Sequence, residues 1–528
     1  MRRRDLLKIA GGGMAAAVTP VAASALESPA QTGQPGWLSV RDHGAKGDGV
    51  TLDSPAINRA IEAAARAGGG TVCFPAGVYL CYSVRLKSKV GLHLDHGAVI
   101  LAAPSPMDGG AGYDPAEPQG AWESYQDYGH NHWHNSLLWG EGLEDLSITG
   151  RGLIWGKGLT RGWDGEAGRA DTRKSGVGNK SIALKNCRNV LLRDFSILEG
   201  GWFGILATCV DNLTIDNLTI DTNRDGIDID CCRNARVSNC TVNSPWDDGI
   251  CPKSSFALGY ARPTENLTIA NCYVTGGYQL GTLLDGTWKR LEMQPGHVPT
   301  GRIKLGTESN GGFRNVAIAN CIFESCQGFA LESEDGALVE DISFTGITMR
   351  DIRSAPLFLR LGTRMRGPTG VKPGVMTRVL VSNVTSSGAS ILPSILSGVP
   401  GHSIEDVKIS DVYLEQLGGA PASMASLDPP EREAAYPDPN MFGDLPASGL
   451  FARHVRNLEL SNVEIATRAA DPRPAIWLKD VEGVDFFRLR LPRGGGAAFD
   501  LHQVKEFRSF GSRQMADLTL DNVDRRTV

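Results

Sequence analysis

The chain runs to 528 residues, a length that could house several globular domains or one long repeat array. Its 53 Lys and Arg against 59 Asp and Glu leave a net charge of −6, interspersed along the chain, which excludes the basic stripe of a nucleic-acid binder and the cationic face of a membrane-surface protein. Glycine, at 64 residues, stands far above the average of about 7%, as a chain with a tight turn at each corner requires.

The N-terminus reads as an address. Arg3-Arg4-Asp5-Leu6-Leu7-Lys8 has the form of a twin-arginine export signal, followed by a Gly/Ala-rich apolar stretch from Ile9 to Ala22 and an Ala23-Ser24-Ala25 site suited to cleavage before Leu26. Residues 1–25 are therefore expected to direct the protein to the periplasm or outside the cell, with no stable membrane insertion after cleavage. An uncleaved anchor is the other reading, for a stretch too short for an ordinary spanning helix. Residues 26–85 read as a cap and first coil. Asp53-Ser54-Pro55 opens an amphipathic helix, Ala56 to Ala67, with Ile57 and Ile61 on one face, and Gly68-Gly69-Gly70 ends it. Such a helix would plug the end of a solenoid, whose last coil cannot leave its apolar core in water. A phosphate-binding loop is the rival reading of those glycines, but the lysine it needs is missing.

A loop of about residues 105–140 follows, carrying Tyr125, Tyr128, His130, His132, Trp133 and His134 between Trp122 and Trp139. Its flat rings suit stacking on a ligand face, so the loop is expected to line a cleft and close one end of it. The alternation His130-x-His132-x-His134 also has a metal-ligand look, but a loop gives no guarantee of a shared face, and no metal or other cofactor is expected.

From residue 86 to 528 the chain keeps one beat. Short β-branched runs recur between paired asparagines, at Asn212 and Asn217, Asn234 and Asn239, Asn266 and Asn271, and Asn315 and Asn320, with apolar side chains alternating inside each run. From Asn212 to Asn234 is 22 residues, and from Asn217 to Asn239 the same. Strand-rich repeats of that length predict an all-β chain, a right-handed parallel β-helix in which each coil covers the next one's apolar face. The asparagines read as a structural ladder, since their amides hydrogen-bond locally and tolerate left-handed φ. Cys187, Cys240, Cys272 and Cys321 follow an Asn at one register, which predicts an internal stack of buried free thiols among the 11 cysteines.

Two acidic clusters interrupt this background one coil apart. The first is Asn223-Arg224-Asp225-Gly226-Ile227-Asp228-Ile229-Asp230, and the second is Trp246-Asp247-Asp248-Gly249-Ile250-Cys251-Pro252-Lys253. Carboxylates held together repel and raise one another's pKa, an arrangement that serves acid and base chemistry better than stability. Paired carboxylates about 6.5–9.5 Å apart cleave glycosidic bonds by inversion, and carboxylates on neighbouring coils, about 4.8 Å apart along the axis with lateral offset, bring that gap within reach. A calcium site or a solvated acidic turn is the alternative, and fits Asp228 and Asp230 best.

On Asn223-Arg224-Asp225-Gly226, similar to N-T-D-G, and Asp247-Asp248 followed by Lys253-Ser254, similar to D-D with K-S, the chain resembles glycoside hydrolase family 28, the polygalacturonases, from the cap to about Arg350. The resemblance implies a pectin-lyase-like β-helix with an open cleft and inverting hydrolysis of an oligo- or polysaccharide. It makes Asp247 the general acid, and gives Asp225 and Asp248 the attacking water. Asn223, Lys253, Trp246, Trp133, His132 and Glu308 are expected to contact substrate.

The departures concern the sugar. By register, Gly301-Arg302-Ile303-Lys304-Leu305-Gly306 occupies the family's G-H-G coil without a histidine, and Ala330-Leu331-Glu332-Ser333 occupies its R-I-K coil. Arg302 and Lys304 spell that motif one coil too early, so they read as a chance match unless they replace the usual carboxylate clamp. Glu332 in the clamp's place would repel a uronate and hydrogen-bond a neutral sugar instead. Long loops at about 276–300 and 418–450 suggest lids and exo action by a monomer. A β-helix lyase using calcium, and a non-catalytic carbohydrate-binding solenoid, are the two other classes of function open to this sequence.

Overall fold

The computed structural model describes residues 36–161, 169–292 and 296–528. The expected export signal, residues 1–25, lies outside the described residues. Among them no helix is long and apolar enough to cross a membrane.

The chain winds as a right-handed parallel β-helix. A representative coil consists of the strands Phe203–Thr208, Asp211–Asp216 and Thr219–Asp221, and the next consists of Asp225–Asp230, Arg233–Ser238 and Thr241–Asn243. Phe203 pairs with Asp225 and Asp211 with Arg233, so the 22-residue period is one turn of the solenoid. Period-two alternation divides each strand between two environments. In Asp225–Asp230, Ile227 and Ile229 enter the continuous core, while Asp228 and Asp230 point to the outer face.

Corners are fixed by the asparagine ladder. Asn189, Asn212, Asn234, Asn266 and Asn315 all hold φ between 52° and 58°. Each donates its side-chain amide to the side-chain oxygen of the residue one coil earlier, beginning with Asn189 to Asp145 at 2.7 Å and ending with Asn315 to Asn266 at 2.8 Å. All 11 cysteines are free, and Cys187, Cys240, Cys272 and Cys321 are buried at the expected register.

The ends are built differently. Helix α1, Ser54–Arg66, buries Ala56, Ile57, Ala60, Ile61 and Ala64 against the first coils, and Asp53 at its start accepts hydrogen bonds from Lys46 N and Gly47 N. At the other end the last strand, Leu518–Thr527, pairs antiparallel with Phe499–Phe510, after an otherwise parallel stack.

The ladder makes a prediction. Asn234→Ala puts an ordinary side chain into left-handed backbone and removes two amide contacts, so it should cost about 1–2 kcal/mol. Asn234→Gly, which relieves only the backbone, should recover a good part of that in the denaturant midpoint. Equal loss in both variants would place the whole effect in the side-chain bonds.

Candidate active site

Asp225 begins one outer strand, while Asp247 and Asp248 sit in the turn that leads into the next, Ile250–Lys253. Close stacking explains the glycines beside them, since a Cβ on Gly226 would meet Gly249 O at 2.4 Å. One oxygen from each of the three aspartates lies within 4.8 Å of the others. This is tighter than the gap expected of an inverting pair, because the turn lays Asp248 N on Asp225 Oδ1, at 3.3 Å, and closes the lateral offset.

Their surroundings separate the three electrostatically. Asp248 is 1% exposed, and both its oxygens are engaged, Oδ1 by Arg302 Nε at 2.9 Å and Oδ2 by Lys304 Nζ at 2.7 Å. Burial opposes its charge, but Lys304 and Arg302 outweigh burial and hold the carboxyl well below the usual range. Asp225 is pushed the other way, well above that range, by burial and by the neighbouring Asp228 and Asp247. Asp247 is in side-chain contact with Asp225, is 28% exposed, and receives Arg224 Nε at 3.0 Å. Repulsion between two touching carboxylates favours keeping one proton on the pair.

Arg302 and Lys304 belong to the same cluster. Lys304 pairs with Ala330, so they stand one coil ahead of Glu332, in the order read from the sequence, yet both side chains turn onto Asp248. Glu332 is wholly buried rather than presented to a ligand. Thr307 Oγ1 donates to it at 3.1 Å and also lies 3.3 Å from the hydroxyl of Tyr436, delivered by the 418–450 loop. Lys253 lies 3.8 Å from Asp225, 3.7 Å from Asp228 and 3.4 Å from Glu308, so Glu308 joins the same buried cluster. Asn223 flanks the cluster with a buried Oδ1 that has no hydrogen-bond partner.

Loops pack on the outer strands on both sides of the cluster. Upstream, Trp133 is buried with Trp202, Phe203 and Leu206, and its Nε1 donates to Thr208 Oγ1 at 3.1 Å. His132 is 1% exposed, stacked on Tyr128 at 4.0 Å and bonded to Tyr128 O at 2.8 Å. Neither lines the cleft as expected, because their rings and polar atoms are used to hold the loop onto the outer strands. Downstream, Phe442, Leu445 and Ala447 pack on Phe358, Phe451 and Trp477. Trp246, 40% exposed beside Asp247, and Tyr436, 58% exposed, remain open to solvent.

The three loop histidines diverge. His134 meets Glu117 and Glu141, and His132 is buried elsewhere. His130 instead enters the cluster, with a ring nitrogen 3.7 Å from Glu308 and within 4.8 Å of Asp225 and Asp228 oxygens. Burial lowers its pKa to about 4, so it is neutral at pH 7. Sequence reasoning named His130 only as part of the aromatic loop and its histidine alternation, and Asp228 only as a calcium site or acidic turn, and it did not single out Arg364, 3.7 Å from Glu308. Only the outward parity of Asp228 signalled its place.

Asp228 has no hydrogen bond to either oxygen, and burial raises its pKa from 3.8 to about 8. A folded pKa above the unfolded one gives stability that is full below about pH 4 and is lost as pH rises through about 8. Asp228→Asn, which keeps the neutral form, should flatten the fall in unfolding temperature across that window. An unchanged slope would show the carboxyl ionised throughout.

Comparisons with known proteins agree with this architecture. Residues 37–98 match the family model described as rhamnogalacturonase A/epimerase, pectate lyase-like, and residues 180–353 match right handed beta helix region. A probable polygalacturonase of Vitis vinifera is 25% identical over 332 residues, 60% of this chain and 61% of that protein, so the chain spans about three fifths of this relative. An exo-poly-alpha-D-galacturonosidase of Dickeya chrysanthemi is 24% identical over 75% of this chain and 70% of its own. The family 28 exopolygalacturonase structure from Yersinia enterocolitica superposes with a TM-score of 0.61 at 19% identity, covering 88% of this chain and 79% of that one, and shows the shared fold. The chain is thus similar to polygalacturonases and shares the right-handed parallel β-helix of a family 28 exopolygalacturonase.

Proposed function

We propose that this chain is an exported, monomeric glycoside hydrolase that removes terminal sugars from an oligo- or polysaccharide by inversion, using Asp225, Asp247 and Asp248. The observation that carries the reading is one cluster of three aspartates in which Lys304 and Arg302 hold Asp248 below the usual carboxylate range while burial, Asp228 and Asp247 push Asp225 above it. Asp247 is the member a leaving group can reach, and it donates the proton, with Asp225 as its buried reservoir. Asp248 orients and deprotonates the water. Asp247, which carries Arg224 and the amide of Asp248, is held as the acid rather than as a nucleophile, so water and not a carboxylate is the attacking group. Loops packed on both sides of the cluster favour cleavage at a chain terminus, and the twin-arginine-like start favours export.

For the sugar itself we favour a neutral residue. The relatives are named for galacturonate, but here the side chains of Arg302 and Lys304 are turned onto Asp248, and Lys253 lies among Asp225, Asp228 and Glu308. A uronate carboxylate would have to compete with Asp248 for Arg302 and Lys304, the cations nearest Glu332. Trp246 offers the stacking face, and Asn223 Oδ1 an acceptor for a sugar hydroxyl.

Asp247→Asn and Asp248→Asn should each lower turnover by roughly 10²–10⁴ while the protein stays folded, and the first product seen by NMR should have inverted configuration. Near-normal turnover in either variant, or retention, would overturn the roles. Substrate preference should be strong: a panel of neutral oligosaccharides should contain a better substrate than unesterified polygalacturonate, and rapid release of galacturonic acid would show Arg302 and Lys304 acting as a clamp. In the pH profile, the acid limb should lie below the ordinary carboxylate range because Lys304 and Arg302 depress Asp248. Lys304→Met should move that limb upward by about 1–3 units, and a limb that does not move would assign it to another group.

A further inference from the structure

The outside of the solenoid near its C-terminal end carries a groove far along the coil axis from the aspartate cluster, with a volume of about 480 Å³. Tyr413, Glu464 and Arg490 stand side by side on consecutive coils along one wall. Arg488, Arg493 and Arg513 add three more cations, and Asn462 and Gln514 add amides.

Most exposed ladders on this protein alternate charge from coil to coil, as in Arg188 with Glu144, Arg378 with Glu340 and Arg508 with Asp485. At this groove the pattern runs out of acids. Glu464 is spent on Arg490 at 2.8 Å, and among the described residues Arg488, Arg493 and Arg513 form no salt bridge. Three unpaired guanidinium groups around one concavity are unfavourable by themselves, in a chain whose net charge is −6. Each is a planar fork whose geometry matches a carboxylate. Tyr413, 59% exposed at the groove's edge, supplies a ring for a sugar face.

We infer that this groove binds an acidic polysaccharide, a carboxylated glycan held by Arg488, Arg493 and Arg513 with Tyr413 stacked on one ring, at a site separate from catalysis. Its volume falls within the usual range of about 300–1,000 Å³ for small-ligand clefts, enough for a short run of sugar units. Neutral amides beside the cations, and the overall negative charge of the chain, favour a glycan over a nucleic acid, which would need a longer positive track. The protein would thus rest on an acidic polymer while the aspartate site works on a different, neutral unit.

The test is affinity electrophoresis of the full chain in gels containing unesterified polygalacturonate as probe, with dextran as the neutral control. Mobility should fall in polygalacturonate only, and the effect should weaken with added NaCl. The variant Arg488→Gln, Arg493→Gln, Arg513→Gln should lose binding at least about tenfold, as expected when charge-assisted bonds are removed, with its unfolding temperature and its turnover of neutral oligosaccharide unchanged. The matching triple Lys variant, which keeps the charge, should retain part of the retardation. Equal retardation of parent and Gln variant would place binding in the aspartate site and overturn the inference. No retardation of the parent, or tighter arginine-dependent binding of single-stranded RNA than of polygalacturonate at equal ionic strength, would overturn it too. The aspartate-site reading stands or falls separately, on the turnover of Asp247→Asn and Asp248→Asn.

Discussion

Backbone pairing between successive coils, at a rise of about 4.8 Å, is the constraint from which the rest of this molecule follows. It sets residues about 22 positions apart side by side, so any side chain repeated at that interval becomes a continuous row. Apolar residues become the core, asparagines become a hydrogen-bonded corner post, and cysteines become a stack. The same rule makes the acidic cluster unavoidable once Asp225 and Asp248 occupy neighbouring turns. A solenoid has no freedom to separate them, and can only surround them with countercharge.

That countercharge dominates the site. Lys253, Arg302, Lys304 and Arg364 are all buried among Asp225, Asp228, Asp248, Glu308, Glu332 and Asp335. Buried ion pairs seldom improve stability over apolar packing of the same volume. Here they hold Asp248 below the usual carboxylate range, while burial and neighbouring acids push Asp225 above it. The cations that would face a substrate carboxylate face Asp248 instead.

The period, the parallel β-helix and helix α1 were legible in the sequence because each rests on local alternation or on an exact repeat, which survives without tertiary information. That Asp225, Asp247 and Asp248 come together was legible for the same reason, since they lie within repeats at a known register. His130, Arg364 and Tyr436 were not, since each comes from a loop whose path depends on what it packs against. Trp133 and His132 misled in the opposite sense. Aromatic composition predicts contact with something flat or apolar, but not whether that partner is a ligand or the protein's own strands. The direction of Arg302 and Lys304 was beyond sequence too, because register places a residue on a coil and leaves its side-chain partner open.

The reversal of the final strand has a meaning beyond this one molecule. A parallel stack ends in an unpaired edge that any similar coil could extend, the same geometry by which fibrils recruit new chains. Leu518–Thr527 runs against the grain, so the edge it offers is out of phase with the first coil of another copy, and helix α1 obstructs that coil from the other side. The two devices turn a potentially endless template into a particle of fixed length.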